Sequence, residues 1–115
     1  MQTTIWHNPR CSKSRTTLQL IESKGVKPNI VLYLTNPPSA EELSNALKCL
    51  NMEVREIIRK GEAAYSENNL ADQTLSTKKI IDILVKNPIL IERPIVIKGD
   101  EAVIGRPPEN ILNLI

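Results

Sequence analysis

The sequence predicts an α/β fold: a four-stranded mixed sheet flanked by helices, with a helical insertion. Three observations predict it. A β-rich segment, a helical segment and a second β-rich segment follow one another at the N-terminus. Amphipathic helical patterns fill the middle of the chain. A short hairpin then precedes a last helix. At 115 residues the chain has the length of one domain, and residues 1–115 are read as one.

Each element has its own local reason. Thr3–Trp6 reads as a short strand closed by His7-Asn8-Pro9, because the residue before a proline is steered away from continued regular structure. Residues 12–24 predict a helix, with Leu18 and Ile21 one turn apart and Gly25 as its stop. Residues 29–34 are β-rich, Asn29 leading into Ile-Val-Leu-Tyr-Leu, the pattern of a buried strand. Strand, helix and strand make a βαβ unit with a parallel pair and a right-handed crossover.

Pro37-Pro38 break the chain, and Ser39-Ala40-Glu41-Glu42 has the form of a capping box. Leu43, Ala46, Leu47 and Leu50 then recur at helical spacing. Val54, Ile57 and Ile58 predict another short helix, with Arg55 and Arg59 on its polar side. Residues 61–74 are polar and aperiodic, a loop or irregular helical turns. Residues 76–86 predict a helix that points Ile80, Ile83 and Leu84 inward and stops before Pro88.

Ile95-Val96-Ile97 and Ala102-Val103-Ile104 flank Gly99-Asp100, a pair suited to a tight primed turn. Arg106-Pro107-Pro108-Glu109 opens a final helix, which Ile111, Leu112 and Ile115 are expected to dock on the sheet. Assembled, the order is βαβ, a helical insertion, then ββα. That is the thioredoxin-like layout.

Composition narrows the function classes. A hydrophobic fraction of 41% and a charged fraction of 24% fit a soluble globular protein. Aromatics are 3% with no Phe, so Ile, Leu and Val must build the core. A net charge of +2 is too small to imply a nucleic-acid partner, though it permits a local cationic pocket. Apolar runs of a few residues span no membrane, and the N-terminus lacks the basic start and apolar stretch of a signal peptide, so a cytoplasmic location is expected. Two cysteines, Cys11 and Cys49, are too few for a disulfide scaffold or a Cys-rich zinc site, and no metal is expected.

The chemistry concentrates at Cys11, between the first strand and the first turn of the first helix. A thiolate there faces unpaired backbone N–H groups and the positive end of a helix dipole, both of which lower a cysteine pKa. Arg10, Lys13 and Arg15 add positive charge nearby, and His7 adds a hydrogen bond or a charge. The amides of residues 10–15 converge as an anion trap, so a nucleophile sits inside a site for a tetrahedral oxyanion. Arg59, Arg93 and Arg106 lie at element ends, where a fold that gathers them would clamp that oxyanion by charge-assisted bonds. Against this stands the plainer alternative for each residue alone: a buried apolar cysteine, solvated arginines and a structural strand-end histidine. At ~100° per residue Cys49 falls about 120° from the apolar stripe of its helix, with no activating surroundings, and reads as incidental.

The segment His7-Asn8-Pro9-Arg10-Cys11-Ser12-Lys13-Ser14-Arg15 resembles the signature of the arsenate reductases that use glutathione and glutaredoxin. The resemblance continues through Val31-Leu32-Tyr33-Leu34, Asn36-Pro37-Pro38-Ser39, Ile58-Arg59-Lys60, Asn87-Pro88-Ile89-Leu90, Glu92-Arg93-Pro94-Ile95-Val96 and Gly105-Arg106-Pro107-Pro108-Glu109, essentially the whole chain. It implies a thioredoxin-like oxidoreductase in which Cys11 attacks arsenate, Arg59, Arg93 and Arg106 bind the oxyanion, and His7, Ser14 and Arg15 support the cysteine. Glutathione is then a co-substrate rather than a bound cofactor: it attacks the arsenylated cysteine and leaves a mixed disulfide for glutaredoxin. The resemblance also implies a cis Arg93–Pro94 bond, and a monomer is expected.

Two other functions compete. A general glutathione-dependent thiol oxidoreductase would use Cys11 without selecting an oxyanion. Fold-related regulators that bind RNA polymerase typically sense oxidants through Cys-x-x-Cys. Here the fourth position is Ser14, so no disulfide forms across that motif.

Overall fold

A computed structural model describes residues 1–115 and places four strands in one sheet: β1 (Thr3–Trp6), β2 (Asn29–Val31), β3 (Ile95–Lys98) and β4 (Glu101–Ile104). Their order is β2-β1-β3-β4. β1 runs parallel to β2 and antiparallel to β3, which pairs antiparallel with β4. This is the mixed thioredoxin-like sheet that the order of elements predicts. The chain divides into a sheet unit, residues 1–36 with 93–115, and a helical unit, residues 37–92.

In the sheet unit, α1 (Ser12–Ser23) connects the parallel pair. It ends at Gly25, whose φ of +77° lies in the left-handed region that glycine enters without steric cost. Ile5 stands opposite Val96, and Val96 opposite Val103, so these three share one face of the sheet. On that face Ile5, Val96, Ile21, Ile111 and Leu114 form one core, with Leu18, Leu20 and Val26 packed against it. Lys98 pairs with Glu101 around Gly99-Asp100, the two-residue turn expected, and Gly99 has φ +63°.

Two expectations for this unit need correction. The second strand is three residues long rather than six, and it lies at the sheet edge with Asn29 and Ile30 exposed. Its only neighbour is β1, whose pairing stops at Trp6 opposite Val31. Beyond that point the chain turns, the Leu32 carbonyl accepting the N–H groups of Thr35 at 3.0 Å and Asn36 at 2.8 Å. Of the apolar run only Tyr33 is fully enclosed, while Leu32 and Leu34 are exposed.

The last helix is a 3-10 helix, Pro108–Asn113. At three residues per turn, positions i and i+3 eclipse. Ile111 and Leu114 therefore dock, Ile115 is partly buried against them, and Leu112 points to solvent.

The helical unit holds α2 (Ala40–Leu50), a 3-10 turn (Val54–Ile57), α3 (Ala63–Glu67), α4 (Thr77–Lys86) and a second 3-10 turn (Pro88–Leu90). The capping box forms: Ser39 Oγ accepts the Glu42 N–H at 3.1 Å, and Glu42 Oε1 accepts the Ser39 N–H at 2.9 Å. α2 and α4 pack together, with Leu43, Ala46, Leu47, Ile80, Ile81, Ile83 and Leu84 buried. The aperiodic stretch contains α3 and is anchored by fully buried Leu70. Arg55 donates at 2.7 Å to the carbonyls of both Leu70 and Asp72, so it clips this stretch in place.

Residues 57–59 and 90–92 form a small antiparallel pairing. Arg59 N–H donates to Leu90 O and Glu92 N–H to Ile57 O, both at 2.8 Å, around an Ile58–Ile91 bridge. Ile57, Ile58, Leu90 and Ile91 are all buried, so Arg59 stands on a fixed backbone.

Candidate active site

The loop after β1 is shaped by Asn8. Its side-chain Oδ1 accepts the Arg10 N–H at 3.0 Å, and its carbonyl accepts the Cys11 N–H at 3.0 Å. Asparagine offers both bonds from one position, and Pro9 sets the φ of the turn between them. Cys11 follows in extended conformation (φ −95°, ψ 123°) at the N-cap of α1, its carbonyl accepting the first helical bond from Arg15 N–H at 3.0 Å.

This accounting narrows the expected anion trap. The amides of Arg10, Cys11 and Arg15 are committed to the turn and the helix. Those of Ser12, Lys13 and Ser14, the first helical residues, face outward from the helix start.

Cys11 is partly exposed and in no disulfide. Its side chain makes no capping hydrogen bond. Its pKa is nevertheless lowered. Partial burial is the largest single influence and pushes the thiol up. It is outweighed by the Ser14 amide, a hydrogen bond and positive charge from the Arg93 side chain, and the Lys13 amide, all of which favour the thiolate. The positive charge on the sulfur thus comes from Arg93, across the fold, rather than from the neighbouring basic side chains the sequence pointed to.

Ser14 is fully enclosed. Its Oγ accepts the Asn8 N–H at 3.0 Å and lies 2.7 Å from His7 Nδ1. While accepting from Asn8, the hydroxyl still has its proton to donate, and a neutral imidazole with Nδ1 unprotonated can accept it. His7 is indeed held neutral: burial lowers its pKa first, Arg15 adds to that, and Glu22 partly offsets both. Of the two roles open to His7, the structure gives it the hydrogen bond and not the charge. Arg15 is exposed and donates from Nη1 to Pro9 O at 2.9 Å, bracing the loop.

Arg93 and Arg106 meet on the sheet unit. Gly105 N–H donates to Pro94 O at 2.9 Å, and Arg106 Nη1 lies 3.4 Å from Arg93 O. Both Arg93–Pro94 and Arg106–Pro107 are cis; the first was expected and the second was not. Gly105 permits the approach: a Cβ there would lie 2.6 Å from Thr17 Oγ1 and 2.9 Å from Pro94 Cγ. Arg59 belongs to the helical unit, where it is ion-paired with Glu62 and Glu92. Cys49 lies on α2 in the helical unit.

The family model described as ArsC matches residues 6–114. The chain belongs to the ArsC family. An arsenate reductase of Haemophilus influenzae is 45% identical over the full length of both chains. An uncharacterised protein of Escherichia coli K12, YfgD, is 50% identical over 99% of this chain and 97% of its own. The solved structure of an arsenate reductase from Vibrio cholerae superposes with a TM-score of 0.97 at 44% identity, covering 100% of this chain and 98% of that one.

Within this ArsC fold, the structure brings Cys11, Ser14, His7, Arg15, Arg93 and Arg106 onto one unit. Sequence reasoning missed Asn8, Gly105 and the two carboxylates on Arg59. Asn8 has a readable signal, an Asn-Pro at a strand end, which by itself marks only a strand stop. Gly105 had another: a glycine between a strand and Arg-Pro-Pro. No helix is long and apolar enough to cross a bilayer.

Proposed function

We propose that this chain is an arsenate reductase that uses Cys11 as nucleophile and glutathione with glutaredoxin as reductants, acting in the cytoplasm. The observation that carries the reading is Cys11 itself, partly exposed at the N-cap of α1, its thiol drawn toward the thiolate by the Ser14 and Lys13 amides and the Arg93 side chain. Family membership and the arsenate reductases among its relatives support it.

In this reading the Cys11 thiolate attacks the arsenic of hydrogen arsenate. An S–As bond forms and an As–O bond breaks, the oxygen leaving as water after protonation. The groups that favour the thiolate are also donors to developing negative charge on the oxyanion. Arg93 and Arg106 bind its oxygens, and Arg59 supplies a third cation by the family resemblance. The glutathione thiolate then attacks the Cys11 sulfur. The S–S bond forms as the S–As bond breaks, its electron pair stays on arsenic, and As(V) leaves as arsenite, As(III). The glutaredoxin thiolate attacks the glutathione sulfur and releases Cys11 as thiolate.

The test is arsenate-dependent NADPH consumption coupled through glutathione, glutaredoxin and glutathione reductase. Turnover in wild type and none in a folded Cys11→Ser variant supports the reading. Absence of turnover in wild type, with Cys11 still rapidly alkylated at neutral pH, discards arsenate as the substrate.

A further inference from the structure

Thr17 is fully buried on α1, just after the residues that start the helix. Its Oγ1 donates to the Lys13 carbonyl at 2.8 Å and lies 3.4 Å from the Gly105 carbonyl. A hydroxyl has one proton, so the shorter contact takes the main bond. The helix gives the same Lys13 carbonyl the Thr17 N–H. That oxygen therefore holds two donors from one residue, in a place where no water competes for it.

The other end of that peptide unit is the Ser14 N–H. Cys11 stands at the N-cap of α1 and Ser14 at its third position, the pair that capping geometry brings together. An amide there has no acceptor within its helix, and the Ser14 amide favours the Cys11 thiolate. A peptide whose oxygen accepts a further hydrogen bond is more polarised, and its N–H donates more strongly. Threonine hydroxyls often bond the carbonyl four residues back, and in mid-helix that serves nothing beyond. Thr17 differs because the peptide it loads ends in a helix-start amide that serves the nucleophile.

The charged groups around the sulfur leave this route separate. Arg93 is the side chain whose hydrogen bond and charge favour the thiolate, and Arg106 reaches the Arg93 carbonyl at 3.4 Å. His7 lies behind Ser14 Oγ and is held neutral, with Arg15 and Glu22 bearing on it in opposite senses. Arg15 donates to Pro9 O, and Arg10 and Lys13 are exposed.

We propose that Thr17 is a positioning residue for the nucleophile: its hydroxyl polarises the Lys13–Ser14 peptide, so that the Ser14 N–H is a stronger donor to a thiolate at the N-cap. The proposal rests on the reading that Cys11 reacts as a thiolate.

The test is the pH profile of Cys11 alkylation by iodoacetamide, read by mass spectrometry on the full chain without arsenate. It compares wild type, Thr17→Val, Thr17→Ser, Arg93→Ala and the Thr17→Val/Arg93→Ala double variant, with folding checked by circular dichroism. Thr17→Val keeps the shape and loses the hydroxyl, and Thr17→Ala takes its place if it is unfolded. Thr17→Ser keeps the hydroxyl. Strengthening by ~10–30% of a bond to a charged group predicts that the Thr17→Val midpoint rises by about 0.3 pH unit. Thr17→Ser should keep the wild-type midpoint, and the rise should persist when Arg93 is already Ala.

An unchanged midpoint in folded Thr17→Val overturns the proposal and leaves the thiolate reading standing. So does a rise in Thr17→Ser as large as that in Thr17→Val. A rise that vanishes in the Arg93→Ala background overturns it too. Thr17 would then act on Arg93 through Gly105, whose N–H donates to Pro94 O at 2.9 Å, and not through the peptide. A wild-type midpoint in the ordinary thiol range of about 8.5 removes the thiolate reading and the proposal with it.

Discussion

Ser14 Oγ lies 2.7 Å from His7 Nδ1, while the amide of the same Ser14 favours the Cys11 thiolate. One enclosed residue therefore joins the end of β1 to the nucleophile. Its hydroxyl fixes where the helix starts, and its backbone N–H stabilises the thiolate.

Ser14→Ala removes that hydroxyl and leaves His7 Nδ1 and the Asn8 N–H without this partner. An unsatisfied buried polar group costs about 1–3 kcal/mol. Urea denaturation should show a loss of that size, with an unchanged slope. The pH midpoint of Cys11 alkylation should rise as the loop loosens. A variant as stable as wild type would show that the hydroxyl is not holding the loop.

The Cys11 thiolate depends on Arg93, which contributes both a hydrogen bond and a charge. The rate of alkylation against pH should have its midpoint below the ordinary thiol range of about 8.5. Arg93→Ala should move it upward, and Arg93→Lys should recover part of the shift by restoring charge without the planar fork. Because the folded-state pKa is depressed, Cys11 binds fewer protons folded than unfolded between the two values. Its contribution to stability is complete above the unfolded value and is lost as pH falls through the folded one. An Arg93→Ala midpoint equal to that of wild type would contradict the contact.

His7 gives a pH signature of its own. Burial, with Arg15, lowers its pKa, so the unfolded chain binds the proton more readily. Stability from this group is present above about 6.5 and declines as pH falls below it. Urea midpoints at pH 7.5 and 5.5 should therefore differ more in wild type than in His7→Gln. Equal slopes would mean that His7 is not buried in its neutral form.

Much of this site was legible because it is local. Asn-Pro, a cysteine and a helix pattern within nine residues set a nucleophile at a helix start, and the structure keeps it there. The capping box at Ser39 and the hairpin at Gly99-Asp100 were legible for the same reason. What periodicity could not supply was neighbours distant in sequence. The run around Tyr33 reads as a buried strand, but whether it has one flanking strand or two depends on sheet order. The partner of the Cys11 sulfur is Arg93, eighty-odd residues away, whereas local counting pointed to Arg10, Lys13 and Arg15. The face of the last helix turned on a 3-10 pitch, which set Leu114 rather than Leu112 against the core.

Gly105 is the position where a single methyl should be most damaging. Its Cβ would meet Thr17 Oγ1 at 2.6 Å and Pro94 Cγ at 2.9 Å, both on packed elements. Overpacking of this kind costs about 1–3 kcal/mol. Gly105→Ala should lower stability by that amount and weaken oxyanion binding, since Arg106 follows directly. Adding Thr17→Ala should restore part of the stability, because it clears one of the two clashes; strictly additive losses would show that the methyl is accommodated elsewhere.

The central claim is that Cys11 carries arsenic and then glutathione. The most direct measurement is intact-protein and peptide mass spectrometry after one turnover with arsenate and glutathione, in the absence of glutaredoxin. The account predicts one glutathione on Cys11, none on Cys49, formed only when arsenate is present and in step with arsenite release. Arsenite produced without that adduct, or an adduct that forms equally without arsenate, would contradict it.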